Sequence, residues 1–168
     1  MRIRKVFHKI GRKLAIPNTS NAEFPVPDQH VMSFSRATSC HCGRIAYEAE
    51  VDPCAVQVCH CLDCQTLTGS AFRVTVPAPP GSFRLIRGEP RIYIKIADSG
   101  SRRGHAFCGD CGAPVYRQPT DNNPNYSLRL GGLDQRAKLG PPKRQIWTKR
   151  RLPWVTALLE VPEVEAQV

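Results

Sequence analysis

The sequence predicts a mainly β fold with little helix, and two observations support that expectation. Apolar residues recur at every second position in short runs, the period of a half-buried strand; Ile45, Tyr47, Ala49 and Val51 are the clearest set. The 168 residues include 15 prolines and 12 glycines, which favours many turns over long helices. Cysteines fall in three short groups, Cys40-His41-Cys42, Cys59-His60-Cys61-Leu62-Asp63-Cys64 and Cys108-Gly109-Asp110-Cys111, with Cys54 outside them. Cys-x-Cys and Cys-x-x-Cys turns aim neighbouring sulfurs at one point in space.

Taken in order, residues 1–36 read as a basic, flexible N-terminal extension. Val6, Phe7, Ile10 and Leu14 sit near helical spacing among basic residues, and Pro17, Pro25 and Pro27 then interrupt any regular structure. A membrane-surface helix or an organelle-targeting presequence fits that composition; a disordered tail is favoured over both. A single domain is expected over residues 37–161, followed by a tail at 162–168. Within the domain, Arg44–Val51 alternates and Ala55–Val58 delivers the chain to Cys59 as a short strand. Leu62–Gly69 reads as one helical turn or a tight loop. Ala71–Val76 and Phe83–Arg87 are strands separated by a turn at Pro77–Gly81. Arg91–Ala97 alternates with Ile92, Ile94 and Ile96 on one side. His105–Cys108, Pro114–Arg117 and Tyr126–Leu130 follow as strands. Leu133–Leu139 reads as a short helix, and Ile146–Trp147 and Val155–Leu159 as late strands.

No apolar run approaches the roughly 20 residues of a membrane span. The N-terminus lacks the apolar core of a secretory signal, so a cytoplasmic location is expected. In that setting the cysteines are read as metal ligands rather than disulfides. Lysine and arginine total 24 against 14 acids, a net charge of +10. Six basic residues lie within Met1–Lys13 and seven more between Arg136 and Arg151. That balance permits nucleic acid, acidic lipid or anionic small molecules as partners; nucleic acid is not favoured over a solvated surface.

The cysteine groups contain two, three and two thiols. Structural zinc takes four ligands, whereas catalytic zinc keeps three and an open position. The preferred partition is Cys40, Cys42, Cys108 and Cys111 as a closed structural site, with Cys59, Cys61 and Cys64 as a separate open one. A rival partition joins Cys61 and Cys64 with Cys108 and Cys111 as a zinc ribbon, but it strands Cys40, Cys42 and Cys59. All-thiolate sites select zinc or iron, and zinc, two ions per chain, is preferred; iron stays open for the four-cysteine site. Cys54 or His60 would be the fourth ligand if the second site were only structural. His60 alternates with two ligand cysteines and is expected to point away, and Cys54 reads as a small buried apolar residue.

The order Cys40-His41-Cys42-Gly43, Cys59-His60-Cys61-Leu62-Asp63-Cys64, Thr68-Gly69-Ser70-Ala71-Phe72, Phe107-Cys108-Gly109-Asp110-Cys111-Gly112, then Ile146-Trp147-Thr148 and Pro153-Trp154 resembles the glutathione-dependent formaldehyde-activating enzyme family. Its animal relatives include centromere protein V. The resemblance spans about Ser35 to Glu160. It implies an Mss-like fold of coiled β-sheets around two rubredoxin-like zinc turns. It also implies structural zinc on Cys40, Cys42, Cys108 and Cys111, and catalytic zinc on Cys59, Cys61 and Cys64. The implied activity joins formaldehyde and glutathione to give S-hydroxymethylglutathione, a carbon–sulfur lyase reaction. The partners would then be a small thiol such as glutathione and an aldehyde.

For that chemistry the expected oxyanion donors are the backbone after Gly69 and the Ser70 hydroxyl. Arg73 or Arg103 would hold carboxylates of the tripeptide, and Trp147 and Trp154 would wall the pocket or pack in the core. The competing expectation is a zinc-stabilised module that binds nucleic acid or protein without catalysis, supported by aromatic residues among the basic cluster at 143–154. A methionine sulfoxide reductase relative leaves Cys40 and Cys42 unexplained.

Overall fold

The computed structural model describes residues 32–34 and 38–166. Among them the chain forms β1 (Met32–Phe34), β2 (Ala46–Val51), β3 (Gln57–Cys59), α1 (Leu62–Thr68), β4 (Arg73–Ala78), β5 (Phe83–Arg87), β6 (Arg91–Ile96), β7 (Arg102–Phe107), β8 (Pro114–Arg117), β9 (Tyr126–Arg129) and β10 (Arg144–Ile146), plus four short 3₁₀ segments. The fold is mainly β with little helix, and its two cysteine clusters are compatible with rubredoxin-like zinc turns. A small sheet has the order β1-β2-β5 and a large one the order β10-β3-β4-β9-β8-β7-β6. All neighbouring strands are antiparallel except β10 and β3, which run parallel.

The alternation in β2 decides how the two sheets meet. Ile45, Tyr47, Ala49 and Val51 are all buried and pack with Val76 and Ala78 of β4, Ala106 of β7, Val115 and Tyr116 of β8 and Leu128 of β9. An aromatic cluster closes this core: Phe83 stacks on Tyr126 with ring centroids 4.3 Å apart and meets Tyr116 edge-on at 4.9 Å. Such pairs add about 0.5–1.5 kcal/mol each beyond the area they bury. Cys40 and Cys108 belong to the same buried cluster, so one metal site grows directly out of the core.

Several sequence expectations shift in the structure. The strand before the Cys59 group is Gln57–Cys59 rather than 55–58. Strand β4 continues through Pro77 and Ala78, and the turn lies at Pro79–Ser82, where Ser82 N–H donates to the Pro79 carbonyl at 3.1 Å. The strand tolerates proline because β3 pairs only as far as Thr75, which leaves that flank of β4 open. The helix expected at Leu133–Leu139 reduces to a 3₁₀ turn at Arg136–Lys138. Trp147 is in the left-handed region, φ 58°, so β10 ends at Ile146. Val155–Leu159 is not a strand; it lies in a 3₁₀ segment, Pro153–Glu160, started by proline near its first position. The isoleucines of β6 share a side as read, yet Ile92, Ile94 and Ile96 remain 37%, 41% and 56% exposed. Met32–Phe34, assigned by sequence to the extension, pairs with β2. The proposed amphipathic or targeting segment at 1–31 lies outside the described residues.

Candidate metal centre

Two local turns build the closed site, and each depends on a glycine. After Cys40, Gly43 N–H donates to the Cys40 carbonyl at 3.0 Å; after Cys108, Gly112 N–H donates to the Cys108 carbonyl at 2.9 Å. Both glycines have positive φ, +73° and +72°, which side chains rarely adopt. The turns curl each cysteine pair around a common point. The Sγ atoms of Cys40 and Cys42 are 3.6 Å apart, and those of Cys42 and Cys108 are 3.7 Å apart. Thiolates at the corners of a tetrahedron about 2.3 Å from zinc lie about 3.8 Å from one another, whereas a disulfide needs about 2.05 Å. The spacing therefore fits a four-coordinate metal. Ile45 N–H donates to Cys40 Sγ at 3.2 Å, and backbone donors around Ala113 and Cys42 bring the Cys111 thiol down to about 6, whereas at Cys42 the Arg44 backbone donor is outweighed by the neighbouring thiols, which push it up to about 11. Arg44 and Asp110 bridge the two turns at 2.7 Å on the surface.

The second group is assembled where β3 passes into α1. Strand β3 is held on one side by β10 and on the other by β4, with Cys59 opposite Ile146 and Arg73. Cys61 caps α1: its sulfur accepts from the Cys64 N–H at 3.4 Å, which turns Cys64 back toward Cys59. All the sulfurs within each group lie within 4.8 Å of one another. Cys59 is buried, while Cys61 and Cys64 are partly exposed. A hydrogen bond with the Cys64 thiol pushes Cys59 below the ordinary thiol range, and the same bond, with burial, holds Cys64 above it. Among the described residues no fourth histidine, cysteine or carboxylate joins this set. The four-plus-three grouping is thus what the structure brings together, and Cys54 belongs to neither group.

His60 is kept out of the metal set by its own contacts. Its buried ring sets Nε2 2.8 Å from Gln145 Oε1 and meets Phe72 edge-on at 5.7 Å. Gln65 then ties the helix down, donating from Nε2 to the His60 carbonyl at 2.7 Å and to the Arg150 carbonyl at 2.9 Å. Neither glutamine is singled out by the sequence pattern, because each acts through a long-range contact.

Outside the three thiols lies a groove of about 280 Å³ lined by Cys61, Asp63, Lys95, Arg103, Trp147 and Arg150. Asp63 and Lys95 pair across it and clip α1 to β6. Ser99 and Arg103 are shared with an adjoining polar cavity of about 460 Å³ that also presents Arg117, Arg144 and Asn125. Trp147 walls the groove, but Trp154 does not: it lines a different depression with Phe72 and Leu158. Neither tryptophan is in the core; they are 44% and 53% exposed. The oxyanion donors expected after Gly69 are already used. Ser70 N–H donates to the Gln65 carbonyl at 3.3 Å, closing the helix C-terminus, and Ser70 itself does not line the groove. Arg73 is buried behind the thiols, whereas Arg103 is exposed at the groove.

A family model described as glutathione-dependent formaldehyde-activating enzyme matches residues 35–150. The chain belongs to that family. No curated protein matches it significantly. A crystal structure of a Rhodobacter sphaeroides protein superposes with a TM-score of 0.51 at 22% identity, covering 68% of this chain and 99% of the other; at that identity the likeness concerns the fold. Membership of the formaldehyde-activating family supports a glutathione- and formaldehyde-directed role at family level, and the two cysteine groups could hold metal ions. No helix among the described residues is long and apolar enough to cross a membrane.

Proposed function

We propose that this chain is a zinc-dependent carbon–sulfur lyase-like enzyme that joins glutathione and formaldehyde to give S-hydroxymethylglutathione, acting in the cytoplasm. Cys40, Cys42, Cys108 and Cys111 would hold a structural zinc ion, and Cys59, Cys61 and Cys64 a catalytic one. The observation that carries the reading is the asymmetry of the two thiol sets. Four thiols close one site, Cys40 and Cys108 from the core with Cys42 and Cys111 toward the surface, and three form the other at the edge of a groove. Zinc bound to three thiolates supplies a Lewis-acid position that ionises a thiol near neutral pH.

The rest falls to the chain's own side chains. Glutathione carries two carboxylates and one ammonium, and the groove and adjoining cavity together offer Arg103, Arg117, Arg144 and Arg150. Guanidinium groups bind carboxylates as planar forks. Trp147 supplies an apolar wall beside Cys61, and Lys149 lies over its ring at 5.1 Å. One carbon–sulfur bond forms: the sulfur adds to the aldehyde carbon, and the thiol proton ends on the former carbonyl oxygen. Arg103, Arg150 and Lys95 are the cationic donors lining the groove that can stabilise the oxygen as its charge develops.

The test is formaldehyde consumption with glutathione, with S-methylglutathione, and with neither. The reading expects consumption with glutathione alone. Equal rates in all three, together with DNA affinity that falls steeply with salt, would instead establish a zinc-stabilised binding module.

A further inference from the structure

Two arginines are buried with no carboxylate paired to them. Arg73 and Arg129 are 4% and 6% exposed, and the Nε of each has no hydrogen-bond partner. Among the described residues the ion pairs join Arg44 to Asp110, Arg84 to Glu48 and Lys95 to Asp63; none involves either buried arginine. Arg129 Nη2 donates to His105 Nδ1 at 3.0 Å. A ring that accepts there is neutral and offsets no charge. Burial pushes Arg129 down to about 9, with the charge of Arg73 adding to the effect. Burial and the same guanidiniums, Arg129 foremost, push His105 down to about 4.

Both arginines line a cavity of about 370 Å³ together with Leu67, Tyr93, His105 and Phe107. A second cavity, of about 480 Å³, also reaches both of them. A buried cation without a partner is strongly unfavourable, so two side by side call for an anion. The thiol group answers only part of that need, because a divalent ion on three thiolates carries one net negative charge. Counted against that group alone, one guanidinium charge is left over; the charge of the four-thiol site reaches only the second cavity, through Cys40. In the first cavity the walls around the guanidiniums are apolar apart from His105 and the Tyr93 hydroxyl, which suits a carboxylate attached to a small apolar group; the second cavity adds Ser39, His41, Thr68 and Ser70.

We infer that Arg73 and Arg129 form a buried site for a small carboxylate, reached through the cavity that Leu67, Tyr93 and Phe107 line. The carboxylate belongs either to the thiol substrate or to a separate small acid. The charge count rests on zinc at the three-thiol site; the cavity and the unpartnered arginines do not.

The test uses the zinc-loaded full chain, melted in sodium acetate and in sodium chloride at equal ionic strength, so that non-specific screening of the +10 charge cancels. Acetate is expected to raise the wild-type midpoint several degrees above chloride at tens of millimolar. R129M is expected to lose that difference and to melt no lower than wild type in chloride, since the substitution removes an unpaired buried charge. R84Q, on the surface, keeps the full acetate effect. R129K, which retains the charge without the fork, serves if R129M does not fold, and should weaken acetate at least tenfold. Equal melting of wild type in the two salts, or an undiminished acetate effect in the Arg129 variants, overturns the site. Competition of ¹³C-acetate by S-methylglutathione, followed by NMR, supports the site and assigns the carboxylate to the thiol substrate. Acetate bound without competition supports it and assigns the carboxylate to a separate acid. No turnover enters these measurements, so an inactive chain that binds acetate keeps this site and loses the proposed reaction, and an active chain without the acetate effect does the reverse.

Discussion

The two thiol groups are built differently and sit in different surroundings. Cys40 and Cys108 are buried within the hydrophobic core, and their turns are locked by glycines and bridged by Arg44 and Asp110. Cys59, Cys61 and Cys64 come from one continuous segment, and two of the three remain partly exposed beside a groove. A site made from sequence-distant turns cross-links the fold. A site made from one strand–helix junction needs only that junction. The first should therefore govern stability and the second reactivity.

The largest effect expected is on the closed site. Cys108→Ser leaves three thiols from distant turns, and structural zinc in small domains contributes on the order of 10 kcal/mol or more. The variant is expected to lose cooperative unfolding in calorimetry; retention of a sharp transition would mean that the core holds without the metal. Next is the groove. Arg103→Gln should raise KM for glutathione about tenfold to a hundredfold, the equivalent of losing one charge-assisted contact of about 1.5–3 kcal/mol, with both metal ions and the melting temperature unchanged. A similar loss of stability would place Arg103 in the scaffold.

The pH dependence of stability provides a smaller test. His105 titrates near 4 in the fold against about 6.5 in an unfolded chain. Between those values the unfolded chain binds the extra proton, so stability is lost as pH falls from 6.5 toward 4 and is fully present above 6.5. His105→Gln should flatten that part of the stability curve relative to wild type, as measured by urea unfolding at fixed metal loading. An unaltered slope would assign the dependence to other groups. The smallest effects are the surface clips, one at each site. Arg44→Ala and Lys95→Ala should each cost less than about 1 kcal/mol and release no metal. A larger loss at Arg44 would show that the bridge between the two turns helps hold the closed site.

Much of this contrast is legible in the sequence, for physical reasons that differ from residue to residue. Metal-binding turns require short cysteine spacing, so the four-plus-three grouping is visible before any coordinates. The alternation of Ile45, Tyr47, Ala49 and Val51 is equally plain because one face of β2 is buried and the other is not. What sequence hides is whatever depends on a distant partner. Ile92, Ile94 and Ile96 alternate just as clearly, yet they lie on the last strand of the large sheet and stay exposed. Val155–Leu159 has strand composition, but Pro153 starts a 3₁₀ segment through it. Ser70 looks free for catalysis until its N–H is found closing α1. Arg73 is read as a carboxylate-holding candidate and Arg129 carries no motif, and only the packing of β4 beside β9 buries them together.

The most direct measurement is the zinc content and melting of three proteins: wild type, Cys61→Ser and Cys108→Ser. The account predicts two ions per wild-type chain, one ion and a retained cooperative transition in Cys61→Ser with thiol-dependent formaldehyde consumption abolished, and loss of folding in Cys108→Ser. Unfolding of Cys61→Ser, or two ions retained by it, would contradict the division into a closed site that holds the fold and an open one that does the chemistry.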